Sequence, residues 1–399
     1  MRAFLNAIGI IVVKVRRVPK NIKNFFGRIS LLHIQKLKLR YFRNYKDLGI
    51  EFGEGYNIIY GDNAQGKTNI IEAIFLCASG RSHRTSRDLE LVNTGSIGYY
   101  VKLDMFKNDA DSSIEMIFEK NERKKIKINE IPAIKIGSLM GHLNAVIFSP
   151  EDLFIIKEGP SERRRFLDIT LSQLRPSYFH DLQQYSKILL QRNMLLKEMV
   201  NRKELYDTLE IWNNHLIKTG SRIIKIRNEF IQRMDMKASM RHKKLSNEAE
   251  KLEVRYVPSF NVKNSYELND IEEDYRKTVE SAIKKEIYKC TTLFGPHRDD
   301  YDIILNGMST KIYGSQGQQR TAVLSMKLAE IDIMKEDTGD CPVLLLDDVL
   351  SELDNNRQEY LFENIGKIQT FITCTDKSFF RKPDANAKLF NIVNGMVIN

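Results

Sequence analysis

Residues 61–68 read GDNAQGKT and stand between the alternating run GYNIIYG (55–61) and the helical pattern KTNIIEAIFLCASG (67–80). Strand, glycine-rich turn, helix is the opening of a nucleotide-binding α/β fold. The stretch matches G-x-x-x-x-G-K-[ST]. In that pattern the glycines let successive backbone N–H groups turn inward around a phosphate, and the following helix N-terminus adds its positive dipole. Gly61, Asp62, Asn63, Ala64, Gln65 and Gly66 are then the cradle, Lys67 reaches the β- and γ-phosphates, and Thr68 offers its hydroxyl to Mg²⁺. The cofactors expected are ATP and Mg²⁺.

Such a loop needs an acidic partner, and VLLLDD at 343–348 supplies one. A buried strand delivers Asp347 to the metal, and Asp348 is placed to polarise the attacking water. Lys67, Asp347 and Asp348 are the candidate catalytic residues. Asp347 follows Lys67 by 280 residues, much more than a compact nucleotide-binding domain requires. The intervening sequence explains the distance. Strand-like pieces run up to LNAVIFSP (143–150), and long helical patterns fill 151–290 without strand alternation. Strand character returns at YDIILN and STKIYG, then in CPVLLLDD, TFITCTD and LFNIVNGMVI. The expected fold class is α/β, an ATPase head formed by 31–150 and 291–399 with a helical lobe, 151–290, inserted into it. No heptad persists long enough for a long coiled coil.

Composition sets outer limits. The 399 residues carry a net charge of +10, with 42% hydrophobic and 29% charged residues, as expected of a soluble globular chain. Seven of the basic residues lie in positions 1–30, which hold no acid, leaving +3 for the rest. That first stretch reads as a flexible basic extension, or as upstream sequence read as coding, rather than a signal peptide, since no cleavage-site pattern follows its apolar run. No run is long enough to span a bilayer. Cys77, Cys290, Cys341 and Cys374 stand far apart without C-x-x-C spacing, which suits free thiols in reducing cytoplasm and excludes a zinc site.

Four further motifs carry a resemblance. In YGSQGQQR (313–320), Ser315, Gly317 and Gln318 resemble the Ser-x-Gly-Gln signature of ABC-type ATPases. SELD (351–354) resembles their D-loop, and PHRDD (296–300) and YFRNY (41–45) complete the set. From about Leu32 to the C-terminus the chain is similar to the RecF family of bacterial recombination and repair proteins, ABC-type relatives of the SMC proteins. The resemblance implies an ABC-type head with a helical second lobe, ATP-driven head-to-head homodimerisation, and slow, DNA-stimulated ATP hydrolysis. It also implies binding of duplex DNA and single-strand/double-strand junctions, and loading of recombinase at gapped DNA with RecR and RecO. Ser315, Gly317 and Gln318 would then meet the nucleotide of the opposite protomer. The sequence departs from the general ABC pattern at three points. Asp348 stands where a longer Glu is usual. FSPEDL (148–153) occupies the Q-loop position without Gln, leaving Glu151 or Asp152. TFITCTD lacks the switch histidine, leaving Asp376.

Two basic patches are candidate DNA contacts. Arg81, Arg84 and Arg87 recur at three-residue spacing beyond the phosphate-loop helix. Residues 220–244 hold eight basic and two acidic residues around the apolar stripe Ile223, Ile226, Phe230 and Met234, with Arg222, Lys225, Arg233 and Lys237 largely off it. Such cations neutralise phosphates without reading sequence. Arg163, Arg164 and Arg165 read as anchors of the helical lobe, and Arg298 as a functional residue. Other ABC-type ATPases, serving transport or nuclease complexes, are the alternative reading.

Overall fold

The computed structural model describes residues 32–199, 202–263, 265–375 and 387–398. The N-terminal extension and Asp376 lie outside the described residues. The chain opens with a hairpin of β1 (His33–Phe42) and β2 (Tyr45–Glu51). β3 (Tyr56–Tyr60) and α1 (Lys67–Ser79) flank the phosphate loop, as the periodicity indicates. A meander follows in β4 (Gly98–Lys107), β5 (Ala110–Glu119), β6 (Lys125–Ile128) and β7 (Ile131–Ala133), then β8 (Ala145–Phe148). The alternation of β1 and β4 buries Leu37, Leu39, Val101 and Leu103 on one face of the antiparallel sheet β2-β1-β4-β5-β6-β7.

The inserted lobe contains α2 (Phe154–Lys157), α3 (Pro160–Leu174), α4 (Pro176–Glu198) and α5 (Tyr206–Leu245). Next come β9 (Leu252–Val257), α6 (Leu268–Lys289), β10 (Asp300–Leu305) and β11 (Met308–Ser309). Prolines open α3 and α4, where a missing N–H costs nothing. The lobe is not purely helical. β9 alternates Leu252, Val254 and Tyr256 inward and pairs with β10 in a three-stranded sheet with β11, a strand too short between long helices to stand out in sequence. Tyr301, Ile303 and Leu305 of β10 join one apolar core with α3, α4, α5, α6 and one face of the helix Gln316–Thr338. STKIYG, read as strand, forms only the end of β11 before turning helical at α7 (Thr310–Tyr313).

α8 (Gln316–Thr338) leads to β12 (Val343–Asp347), α9 (Asn355–Ile365), β13 (Thr370–Cys374), β14 (Lys388–Val393) and β15 (Met396–Ile398). The second large sheet runs β15-β14-β3-β13-β12-β8, parallel apart from the edge strand β15. Its strands β8, β12 and β13 are buried along their whole length. α8 is buried nearly all round. Ala322, Met326 and Ile333 face the lobe's core, and Leu324, Leu328 and Met334 face the parallel sheet. One helix therefore joins head and lobe.

Candidate functional site

β3 and β12 are not neighbours; β13 lies between them. Parallel pairing nevertheless brings their C-terminal ends together, where open α/β sheets place ligands. Thr68 Oγ1 donates to Asp347 Oδ1 at 2.9 Å, and Thr373 Oγ1 of β13 donates to the same oxygen at 2.7 Å. The 280-residue gap closes at one carboxylate. Burial pushes the Asp347 carboxyl above its usual range, the two hydroxyls pull it down, and the charge of Glu151 adds to the upward push.

The loop itself is preformed. Lys67 Nζ crosses it to donate to the carbonyls of Gly61 at 2.7 Å and Asp62 at 2.8 Å, and burial lowers its pKa. Gly66 caps α1 at φ 114°, where only glycine is at ease. A Cβ there would lie 2.5 Å from the Asn44 amide nitrogen and 2.8 Å from the Tyr45 hydroxyl. Those two side chains grip the loop from the β1–β2 turn: Asn44 Nδ2 donates to the Gln65 carbonyl at 2.8 Å, and Tyr45 Oη to the Gly66 carbonyl at 3.0 Å. Asp62, Asn63 and Ala64 are exposed at the rim, and Gln65 turns its side chain to the backbone N–H of Asn394. Arg43 of the same turn forms a two-pronged ion pair with the fully buried Glu72 of α1, at 2.7 and 2.8 Å. Burial pushes the Glu72 carboxyl up, but bonds from Arg43 and Ser82 outweigh it and hold it below the usual range.

The donor set suits a hard cation with phosphate oxygens. Mg²⁺ takes oxygen ligands and retains waters, and Thr68 and Asp347 offer one hydroxyl and one carboxylate, hydrogen-bonded to each other at 2.9 Å. Among the described residues no cluster of three His, Cys, Asp or Glu side chains could hold a metal alone, so phosphate oxygens would complete the shell. Asp348 is exposed beside the site in a left-handed conformation, φ 53°, with its N–H donating to Thr373 Oγ1 at 2.9 Å. The two Q-loop candidates part company: Glu151 is exposed on the Asp347 side, whereas Asp152 turns inward toward Lys327, 3.9 Å away.

Ser315 N-caps α8 in a capping box, accepting from Gln318 N–H at 3.2 Å while Gln318 Oε1 accepts from Ser315 N–H at 2.8 Å. The Gln318 amide nitrogen donates to Glu250 at 2.7 Å. Both ends of Gln318 are engaged inside the protomer, one on Ser315 and one on Glu250. Ser315 stays exposed. Arg357, which no motif marked, donates to Thr321 Oγ1 and the Gly317 carbonyl and pairs with Asp354, joining the signature helix to the SELD loop. Among the described residues no hydrogen bond or ion pair links Ser315–Gln318 to Gly61–Thr68.

The basic stretch of α5 is a seam. Arg222 pairs with Asp181 at 2.6 Å, Lys225 with Glu267 at 2.7 Å, Arg233 with Asp337 at 2.7 Å, and Lys237 with Glu336. Their partners come from elsewhere in the fold, so each of these four cations already has a counter-charge. Arg81, Arg84 and Arg87 remain exposed. Arg163 forms a two-pronged pair with Asp300, and Arg164 and Arg165 donate to the carbonyls of Asp299 and His83, the anchoring roles expected. In PHRDD, Asp299 is fully buried against Tyr256 and Ser259, and only Arg298 is exposed, so most of that motif holds the lobe together.

Known proteins share this architecture. Residues 33–397 match the RecF/RecN/SMC N terminal domain family. The DNA replication and repair protein RecF of Acetivibrio thermocellus is 54% identical over 359 residues, covering 90% of this chain and 97% of that protein. RecF of Ruminiclostridium cellulolyticum is 51% identical over 366 residues, covering 91% and 98%. A solved structure of the recombination mediator protein RecF-ATP of the RecFOR pathway superposes with a TM-score of 0.87 at 41% identity, over 94% of this chain and 98% of that one. The Smc head domain of Pyrococcus furiosus, at 17% identity and a TM-score of 0.53, shares the fold. With the phosphate loop, the acidic strand end and the signature helix all in place, the chain belongs to the RecF family of DNA replication and repair proteins.

Proposed function

We propose that this chain is an ATP-switched DNA-binding protein of recombinational repair and replication restart. It binds ATP with Mg²⁺ and acts in the cytoplasm. The meeting of Thr68, Asp347 and Thr373 under a loop crossed by Lys67 carries the reading. Lys67 exchanges its two carbonyl acceptors for β- and γ-phosphate oxygens, which restores the charge partner that burial denies it. Thr68 and Asp347 would hold Mg²⁺, whose charge, when bound, offsets that developing on the phosphates. Asp348 orients the attacking water. Its carboxylate is one methylene shorter than a glutamate, which makes turnover slow and suits a switch that DNA stimulates.

Ser315 and Gly317 face outward at a helix N-terminus and would meet the γ-phosphate on a second copy, giving a homodimer with two shared ATPs. Closure would bring two copies onto duplex DNA or a single-strand/double-strand junction, where the protein helps load recombinase with RecR and RecO. The division into units is head 32–150 and 310–398, with lobe 151–309.

Light scattering with ATP and duplex DNA tests this. The parent should dimerise with ATP and bind DNA, and Lys67→Ala should do neither. Ser315→Arg should bind ATP without dimerising. A parent that stays monomeric with ATP and ignores DNA removes the proposal. A Ser315→Arg variant that dimerises like the parent removes the role of the signature across the interface.

A further inference from the structure

Between residues 79–86 and helices α3 and α4 lies a cleft of about 940 Å³. Its walls carry Arg81, Arg84, Arg164, Arg165 and Lys187 against a single carboxylate, Asp168. That carboxylate is already engaged by Arg227 at 2.7 Å and by the Tyr178 hydroxyl at 2.6 Å. The cations are not matched in the same way. Among the described residues no acidic group lies within ion-pair distance of Arg81, Arg84, Arg164 or Lys187, whereas Arg222, Lys225, Arg233 and Lys237 of α5 each have one. Among the described residues the Arg84 guanidinium meets only the Asn69 side-chain oxygen at 3.5 Å, and that of Arg164 only the Asp299 carbonyl at 2.8 Å. Burial, and then the nearby Arg227, hold the Arg164 guanidinium below its usual range, although Asp300, Asp168 and Asp299 pull it back up.

Concavity and chemistry define the occupant. The remaining polar lining is serines, Thr85 and Gln183, which can donate to phosphate oxygens and carry no charge to repel them. The volume exceeds what one phosphate fills, and the cations come from three separate segments of the chain. We propose that this cleft binds the sugar–phosphate backbone of a DNA strand, with Arg81, Arg84 and Lys187 as its phosphate contacts. The proposal rests on the DNA-binding reading above and gives that reading a location the α5 stretch does not. It also places the strand beside the nucleotide: Arg84 reaches Asn69, the residue after Thr68 in α1, and Arg165 straps the segment to α3 through the Ser82 and His83 carbonyls. Contacts of this kind position a backbone without reading bases.

The test is the double variant Arg81→Ala/Lys187→Ala, two exposed residues outside the nucleotide machinery. Anisotropy of a labelled duplex with a single-stranded overhang is followed across a salt series with ATP present. Affinity should fall roughly tenfold and the slope of log K against log salt should flatten by about 2, with ATP binding unchanged. An affinity and slope equal to the parent's overturn the cleft assignment. A parent that binds no DNA at all instead refutes the functional reading beneath it. Tripolyphosphate alone provides a control: if the variant loses tripolyphosphate binding but keeps DNA binding, the cleft takes small anions only and the DNA assignment falls. Should the double variant lose ATP binding through a damaged fold, Lys187→Glu on the exposed face of α4 decides by the same slope.

Discussion

Single residues decide whether the nucleotide site can form. Gly66 is held at φ 114° with Asn44 and Tyr45 closing over it, so an added Cβ meets both the backbone strain, of roughly 1–3 kcal/mol, and a direct clash. Gly66→Ala is therefore expected to abolish ATP binding while leaving the far-ultraviolet circular dichroism unchanged, which titration with a fluorescent ATP analogue would reveal. Asp348→Glu tests the opposite direction. The longer carboxylate should raise steady-state ATP turnover several-fold despite the added cost of a left-handed glutamate; an unchanged or lower rate would take Asp348 away from the attacking water. Lys67, Thr68 and Asp347 were legible because a strand, a glycine turn and a helix constrain them locally. Asn44, Tyr45 and Arg43 were not, because what they grip is 21 to 29 residues away in sequence and nothing in YFRNY names its partner.

At the scale of elements, buried ion pairs join segments that apolar packing alone would leave free to slide. Arg192 of α4 is wholly buried, pairing with the equally buried Glu286 of α6 at 2.6 Å and reaching Asn213 of α5 and Thr292. Arg192→Ala leaves the Glu286 charge without its counterion, and unfolding in urea should show a loss of about 3–5 kcal/mol. The α5–α8 seam behaves differently because its pairs are partly exposed. Lys237→Ala should cost less than about 1 kcal/mol and leave the salt slope of DNA binding unchanged, since its charge already answers Glu336. A flattened slope would return α5 to the DNA surface. Counting charge along 220–244 could not reveal this, because the neutralising acids lie on α4, on α8 and at Glu267.

Across the whole molecule, burial of titratable groups sets the response to acid. His83 and His297 are each pushed down to about 4, first by burial. Between 6.5 and about 4 the unfolded chain binds protons at these positions that the folded chain does not, so stability falls as pH drops through that window. The slope is at most about 1.4 kcal/mol per pH unit for each histidine. Asp152, raised by burial to about 6, acts in the opposite sense between 3.8 and 6, so one histidine's worth of destabilisation survives. Among the described residues neither ring nitrogen of His83 has a partner, and His83→Leu should therefore raise stability at pH 5 by roughly 1–2 kcal/mol and reduce the pH slope, as read from urea midpoints at pH 7 and 5.

By itself the sequence determined the α/β head, the phosphate loop, the acidic strand end, the signature helix and the presence of an inserted lobe, because each is written in short-range periodicity or contiguous motifs. Tertiary structure alone decided that β13 sits between β3 and β12 and lends Thr373 to Asp347, and that β10 packs in one apolar core with α3, α4, α5 and α6. It also decided which arginines have counterions. Strand order, burial and charge pairing depend on segments far apart in the chain, and their energies exist only once those segments meet.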